Sequence, residues 1–368
     1  MPLDFALIAH QESWRAASDV MAVLRGPTLP PIPRDELKEI FPWIPPRPVC
    51  HIELRSILGH SVHGIYIDSF IPPDRLGPAF RAENIDRVRA AAACAIRLGA
   101  PIVSLGGFSS ILLEGDTSLL PNTSPTVFTT GNTLTVAYIV QGIRKLCALQ
   151  GRDLAQSTLL IVGATGDVGS GCARCLAPHV DRILLNARNP DRLRDLAEEL
   201  APQTRIEVAT DLQLLHTLAD IVICVASLES PSLLLGRLAP AAILCDAGYP
   251  KNLAPPQASE DGMDDSLLFY GGLGQSTAGI TFTPDVHRVL QHHPFPNVAQ
   301  GCMIEGMALA LEGRFEPFSQ GRGFIAPQRV HEIESIAARH GLHLAPFFNA
   351  AGPLETIPGS TTLATRAI

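Results

Sequence analysis

The sequence predicts an α/β protein with a central doubly wound parallel sheet, a smaller N-terminal α/β domain and a helical C-terminal segment. Three observations carry this. From Thr158 onward strand-prone and helix-prone stretches alternate, the pattern of parallel strands joined by helical crossovers. The first of those strands runs straight into Gly163, Gly166 and Gly169 and then into a helix of small residues, Ser170 to Leu176. Upstream, shorter strand and helix patterns alternate as far as Thr129, and from Pro284 onward the chain reads helical.

Taken in order, residues 3–10 read as a strand and Gln11 to about Leu24 as a helix. Pro27 to Pro48 is so rich in proline that no regular helix is expected there. Val49–Ile57 and Val62–Phe70 alternate as a hairpin or neighbouring pair of strands. A helix from about Ala82 to Leu98 has an alanine-rich apolar face and carries Arg81, Arg87, Arg89 and Arg97 on its other side. Pro101–Gly107 is a further buried strand, and Thr129 starts a long helix to about Leu149. Strands then follow at Thr158–Val162, Arg182–Arg188, Ile206–Ala209, Ile221–Ala226 and Ala242–Asp246, closed by the Gly271-Gly272 turn; a proline-broken tail follows Pro346.

At 368 residues the chain is long enough for more than one core. A content of 46% hydrophobic and 17% charged residues fits a compact globular enzyme rather than a disordered or collagenous chain. The net charge of −8 argues against wholesale binding to nucleic acid or to an anionic membrane surface. No apolar run reaches membrane-spanning length. The N-terminus has no basic leader and carries Asp4, so it reads as a first strand, and a cytoplasmic protein is predicted. Eight scattered cysteines do not form a disulfide framework. Cys172 and Cys175 make a Cys-x-x-Cys, but they lie on a helix of small residues with no second pair, which suits packing better than zinc.

The strand, glycine turn and helix over Thr158–Leu176 form what a dinucleotide pyrophosphate requires, a Rossmann-type unit. Glycines let the backbone approach the phosphates, and the helix points free N–H groups and its positive dipole end at them. Gly163, Thr165, Gly166, Asp167, Val168 and Gly169 are therefore candidate cofactor-binding residues. At the tip of the next strand an NAD site carries an acid; here Asn186-Ala187-Arg188 has none. Arg188 presents a planar cationic fork suited to a 2′-phosphate, and Arg192 follows one turn later, so NADPH is the expected cofactor. Ligands of such sheets sit at the carboxyl ends of the strands, which adds Ala226, Ser227 and Gly248.

Cys302 is the candidate nucleophile. Asn297-Val-Ala-Gln-Gly-Cys302 leads into a strongly helical stretch, and a cysteine in a first turn feels the positive end of the dipole, which lowers its pKa from about 8.5. His292 and His293 upstream are candidates for a base. The plainer alternative is a small buried helix residue. A cysteine beside a nicotinamide has a definite use: it takes the acyl group from a carrier thioester and holds the carbonyl for hydride. Ser109, Ser110, Thr130 and Asn132 are candidate donors to the oxyanion, although helix capping accounts for the last two equally well. Lys251, one of three lysines, and Tyr249 lie in a strand-end loop, where a solvated lysine is an equal reading.

These motifs resemble the long-chain acyl-[acyl-carrier-protein] reductases known mainly from cyanobacteria. The matching strings are Leu105-Gly-Gly-Phe-Ser-Ser-Ile111, Phe128-Thr-Thr-Gly-Asn-Thr133, Val162-Gly-Ala-Thr-Gly-Asp-Val-Gly-Ser170, Ala187-Arg-Asn189, Val225-Ala-Ser227, Asp246-Ala-Gly-Tyr-Pro-Lys-Asn252, the helix from Cys302 to Gly313 and Phe318-Ser-Gln-Gly-Arg322. The resemblance implies NADPH-dependent reduction of a long-chain fatty acyl group, carried on acyl carrier protein or coenzyme A, to the fatty aldehyde through a thioester on Cys302. The family's nucleophilic cysteine falls on Cys302; Lys251, Asn132 and Ser109, read from their own settings, complete the candidate catalytic set. Magnesium as an activator and a downstream aldehyde-deformylating oxygenase as partner are implied by the resemblance alone, since no carboxylate cluster reads as a metal site. An acidic carrier protein calls for a basic patch, for which the 81–97 arginines or Arg314, Arg322 and Arg329 are candidates.

The domain reading is 1–130 for the substrate, 131–281 for NADP and 282–368 as a helical segment with the cysteine. Two other functions fit parts of the pattern. A shikimate- or quinate-type dehydrogenase shares the layout and the Thr-Gly-Asn helix entry, but it needs a Lys–Asp pair where the N-terminal domain has only Lys38. A non-catalytic NADP-sensing protein would use Cys302 for packing alone.

Overall fold

The computed structural model describes residues 2–26, 28–113, 117–121, 125–212, 219–226, 238–249, 251, 253, 267–286, 293–319 and 325–354. In chain order the elements are β1 (Phe5–Ala9), α1 (Trp14–Arg25), α2 (Arg34–Ile40), β2 (Arg47–Arg55), β3 (Ser61–Asp68), α3 (Arg81–Arg97), β4 (Ile102–Leu105), α4 (Phe108–Leu112), β5 (Val127–Thr129) and α5 (Asn132–Gln150). They continue with β6 (Thr158–Val162), α6 (Asp167–Leu176), β7 (Arg182–Asn186), α7 (Pro190–Leu200), β8 (Arg205–Ala209), β9 (Ala219–Cys224), β10 (Leu238–Asp246) and β11 (Leu267–Tyr270). The last are β12 (Leu273–Ser276), β13 (Ile280–Thr283), β14 (Val298–Gln300), α8 (Gly301–Leu311), α9 (Pro327–Arg339), β15 (Leu342–Leu344), β16 (Phe348–Asn349) and β17 (Gly352–Pro353).

The chain divides into two compact units. The first takes Met1–Leu134, Gly274–Arg322 and His331–His343; the second takes Thr135–Leu273, Gly323–Val330 and Leu344–Ile368. A six-stranded sheet in the order β13-β2-β3-β1-β4-β5 forms the first unit. β3, β1, β4 and β5 run parallel, while β2 is antiparallel to β3 and β13 to β2. Alternation along the strands sends Ala6, Ile8, Ile65, Ile67, Val103 and Leu105 into a core with Val88, Ala91, Ala92 and Ala95 of α3. The alternate residues face the other way, and there the Ser104 hydroxyl receives the Gly306 N–H of α8 at 3.1 Å.

The second unit has the order β11-β10-β9-β6-β7-β8, with every described pair parallel. Counted from β6 this is strand order 3-2-1-4-5-6 with one reversal, the doubly wound arrangement expected from the sequence. The inner strands β6, β7 and β9 are nearly continuous buried apolar runs, as strands covered on both faces require, whereas the edge strand β8 is largely exposed. Gly171 of α6 packs so closely that a Cβ there would lie 2.9 Å from both Val136 and Ile325. Cys172 and Cys175 are buried on the same helix, and burial raises the Cys172 thiol well above its ordinary value.

Three local expectations are corrected. The proline-rich stretch contains α2, because Arg34–Ile40 is a proline-free window with Asp35 and Glu36 in its first turn and Lys38 in its last, matching the helix dipole. Thr129 does not start the long helix but ends a strand, β5, which pairs with β4; the helix begins only at Asn132. The region after Pro284 is not wholly helical, since β14 precedes α8 and β15 to β17 follow α9.

Phe5 and Gly64 are cross-strand partners, and a Cβ at Gly64 would land inside the Phe5 ring. Gly64→Ala is therefore expected to destabilise the first unit by about 1–3 kcal/mol, read as a lower urea midpoint. An unchanged midpoint would show that the ring has room to move.

Candidate active site

The nucleotide turn stands at the carboxyl end of β6, in the second unit. All five residues of β6 are buried between β7 and β9. Gly163 has φ +90°, and a Cβ on it would lie 2.9 Å from the Ala226 nitrogen. A Cβ on Gly169 would fall on the Gly163 carbonyl. Side chains are thus excluded where the strand turns into α6, and Gly166 closes the turn by donating to the Gly163 carbonyl at 3.0 Å. The N–H groups of Val168 and Gly169, in the first turn of α6, have no intrahelical carbonyl to meet. Thr165, Asp167 and Val168 line the same turn, each partly exposed.

Around this turn the other candidates divide into holders of the loop and groups turned outward. Asn186 holds: its carbonyl accepts from Gly163 and Ala164 N–H at 2.9 and 3.0 Å, and its side-chain amide donates to the Ala209 carbonyl at 2.9 Å. Arg188 is exposed at the end of β7 with no ion pair among the described residues, and Arg192 is exposed one turn later. Between them Asn189 caps α7 through the Arg192 N–H at 3.0 Å. Ala226 is half-buried beside Gly163, while Ser227 lies outside the described residues.

The buried Asp246 carboxylate accepts from Gly248 N–H at 3.0 Å and Leu253 N–H at 2.8 Å, which fixes the strand-end loop. Lys251 is drawn into the same loop. Its ammonium donates to the Asp246 carbonyl at 3.1 Å and stands 5.0 Å from the centre of the Tyr270 ring.

The cysteine belongs to the first unit, at the carboxyl edge of its sheet. Gln300 precedes α8 in extended conformation, and Cys302 is the second helical residue, 7% exposed. Its thiol donates to the Gln300 Oε1 at 3.6 Å. Main-chain N–H groups of Gly107, of Met303 and of Cys302 itself favour the thiolate. The expected lowering of its pKa does not occur. Burial pushes the thiol up to about 11, Glu305 one turn along adds to the rise, and the main-chain donors offset only part of it.

Gly131 lies against this cysteine. With φ +72° it turns the chain between β5 and α5, and a Cβ on it would fall on the Cys302 carbonyl and Cα. The next residue, Asn132, donates from its side chain to the Ser110 hydroxyl at 3.0 Å. Ser109, on the same short helix α4, is fully buried, and among the described residues its hydroxyl has no partner. Cys302, Ser109 and Asn132 thus share the first unit, whereas Lys251 belongs to the second.

Two residues here escaped sequence reasoning. Glu305, with no exposed surface, accepts from the Thr129 hydroxyl at 2.5 Å and the Leu134 N–H at 2.9 Å. Its only sequence signal was an acid inside an apolar helix. His10 directly follows β1, two residues beyond the stretch of β1 that pairs with β4, and its ring packs edge-on against Phe108 at 5.6 Å. Burial pushes the imidazole down to about 4, so it is neutral. By contrast His293 is half-buried and His292 lies outside the described residues.

The candidate basic patches are largely engaged. Arg87 donates to the carbonyls of Pro42, Ile44 and Phe70, and Arg81 to that of Leu112. Arg314 pairs with Glu316 and Glu332, and Arg322 lies outside the described residues. Among the described residues no group of three or more His, Cys, Asp or Glu is placed to hold a metal, so no magnesium site is assigned. No helix among them is long and apolar enough to cross a membrane.

No family model matches the sequence. It is 27% identical over 255 residues to aminotransferase PigE of Serratia sp., covering 67% of this chain and 28% of that protein. The solved nucleotide-binding domain of glutamyl-tRNA reductase from Thermoplasma volcanium matches 35% of this chain and 83% of its own at 20% identity, with a TM-score of 0.24, too low to bear on function. The long-chain acyl-[acyl-carrier-protein] reductase of Synechococcus elongatus is 30% identical over 346 residues, which cover 92% of this chain and 97% of that one. Identity at that level over nearly both full lengths means that the chain belongs to the long-chain acyl-[acyl-carrier-protein] reductase family, and is an oxidoreductase.

Proposed function

We propose that this protein reduces a long-chain fatty acyl thioester, carried on acyl carrier protein or coenzyme A, to the fatty aldehyde through a thioester on Cys302, with NADPH as reductant. The observation that carries the reading is the setting of Cys302: a buried thiol in the first turn of α8, its main chain packed against Gly131, in a chain of this family. A dehydrogenase of hydroxy acids has no use for such a thiol, and neither does a sensor.

In the first half-reaction the Cys302 sulfur attacks the carrier thioester. The new carbon–sulfur bond forms as the old one breaks, and the carrier leaves as its thiol. The Cys302 proton goes to the departing sulfur as the old bond breaks, so no lasting thiolate is needed at this raised thiol. Charge on the tetrahedral oxygen falls to Ser109, whose buried hydroxyl is uncommitted, and to the Asn132 amide. Exchange of one thioester for another is nearly isoenergetic, so binding energy is left for orienting the carbonyl.

NADPH, when bound, supplies the hydride that converts the enzyme thioester to aldehyde. Gly163, Gly166 and Gly169 keep the turn open to its pyrophosphate, the first N–H groups of α6 meet the phosphate charge, and Arg188 with Arg192 holds the 2′-phosphate. As the aldehyde leaves, the Cys302 sulfur takes up a proton from solvent, which balances the one carried off on the carrier thiol. Lys251, tied to the Asp246 carbonyl and to Tyr270, shapes the strand-end loop in this scheme and transfers no proton.

Three outcomes test the reading. Incubated with a long-chain acyl thioester without NADPH, the protein gains the mass of one acyl group, and Cys302→Ser gains none; an adduct that survives the substitution would sink the cysteine mechanism. Arg188→Ala raises KM for NADPH by about 10- to 100-fold, the loss of one or two charged hydrogen bonds, and leaves NADH use within about twofold. Finally, alkylation of Cys302 in the free protein, followed on its own peptide by mass, rises with pH toward a midpoint near 11. The thiol is raised, so thiolate is scarce at neutral pH; a midpoint below about 8.5 would mean that the donors outweigh burial.

A further inference from the structure

We infer that Glu305 is a positioning residue for the nucleophile: its buried carboxylate ties both ends of the chain arc that turns over Cys302 to the helix that carries Cys302. This rests on the acyl-transfer reading above.

Glu305 lies one helical turn beyond Cys302 and is fully buried. One oxygen accepts from the Thr129 hydroxyl at 2.5 Å and from the Ser319 hydroxyl at 3.4 Å. Its other oxygen accepts the Leu134 N–H at 2.9 Å. Thr129 ends β5 and Leu134 stands in the first turn of α5, where an N–H has no intrahelical acceptor. Between these two anchors run Thr130, Gly131, Asn132 and Thr133, an arc whose two ends hang on a single carboxylate. Gly131, in its middle, is the residue packed on the Cys302 main chain.

The remaining polar groups brace the arc rather than compete for the carboxylate. Thr130 donates to the Ser319 hydroxyl, and Ser319 N–H reaches back to the Thr129 hydroxyl at 3.4 Å. Thr133 donates to the Phe318 carbonyl at 3.4 Å, and Asn132 donates to Ser110 at 3.0 Å. A buried carboxylate is costly unless donors meet it, and these donors come from strand, helix start and loop at once. An apolar side chain of similar volume would fill the space and leave the arc untied. Cys302, Gly131 and the candidate oxyanion donor Asn132 therefore share one reference point, and a misplacement on the ångström scale is enough to slow a covalent step.

The test measures acyl transfer to the full-length protein by intact mass, over a range of long-chain acyl thioester concentrations and without NADPH. Glu305→Ala is expected to slow the saturated acylation rate about 100-fold with KM within about twofold, and Thr129→Val about 10-fold. Glu305→Gln, whose amide oxygen can take the Leu134 N–H while its nitrogen donates to Thr129, stays within about fivefold of the natural protein. Reaction of Cys302 with iodoacetamide, which needs no aligned carbonyl, does not fall in any of the three. Acylation at the natural rate in both Glu305→Ala and Thr129→Val, a loss carried by KM alone, or a parallel fall in alkylation would each overturn the inference. Should Glu305→Ala fail to fold, Thr129→Val and Glu305→Gln decide it by the same criteria. No adduct on the natural protein would overturn the cysteine reading and this one together, whereas an adduct unaffected by the variants overturns this one alone.

Discussion

The approach of Gly131 to the main chain of Cys302 is the constraint on which the cysteine site depends. A peptide carbonyl in a first helical turn can be met this closely by another backbone only where the visitor has no Cβ. The same glycine takes a φ of +72°, which other residues avoid, so one position satisfies both the turn and the contact. Its neighbours follow from it. Asn132 starts α5 with its amide on Ser110, and Thr129 ends a strand of only three residues with its hydroxyl on Glu305. So short a strand is held by polar side chains at its end more than by its own ladder. One turn further along the cysteine helix, the Ser104 hydroxyl meets Gly306 N–H, where a Cβ would collide with that hydroxyl. Small residues and buried hydroxyls thus seat α8 at two points, 131 and 104.

The second unit was legible in the sequence because its signals are local. Strand, glycine turn and helix fall within Thr158–Leu176, and each later strand is an apolar run bounded by a helical pattern. Cys302 was legible as a residue, since a thiol at a helix start is a local feature too. Its surroundings were not. Gly107, Gly131 and His10 reach the same edge from segments well over a hundred residues away, and only the strand order β3-β1-β4-β5 brings them there. Glu305 was passed over because an acid in an apolar helix has no meaning until Thr129 and Leu134 are seen to face it. Lys251 drew notice by rarity, yet its direction is set by the Asp246 carbonyl and the Tyr270 ring, which no spacing rule foretells. α2 was hidden by counting prolines instead of the gap between them.

The same locality explains the mistaken sign at Cys302. A helix start stabilises thiolate, and a reading confined to the helix stops there. Burial acts in the other direction and depends on everything packed around the sulfur. A thiol raised from an ordinary 9.0 to about 11 stands roughly 3 kcal/mol against ionisation. A single well-placed oxyanion donor supplies about 3 to 4 kcal/mol to a developing charge, so the two effects are of one size. Which of them wins is a matter of timing.

In the proposed reaction that timing favours the buried thiol. At rest no charge needs to be held, and a protonated sulfur is a poor target for oxidants and stray electrophiles. When an acyl carbonyl arrives, negative charge appears on the oxygen and only briefly on sulfur. The main-chain N–H groups of Gly107 and Met303 favour charge on that sulfur. Desolvation then protects rather than opposes, because an acyl-enzyme formed at a buried cysteine is shielded from the water that would hydrolyse it before hydride arrives. In the proposed reaction the same burial that raises the thiol would shield its thioester until hydride arrives.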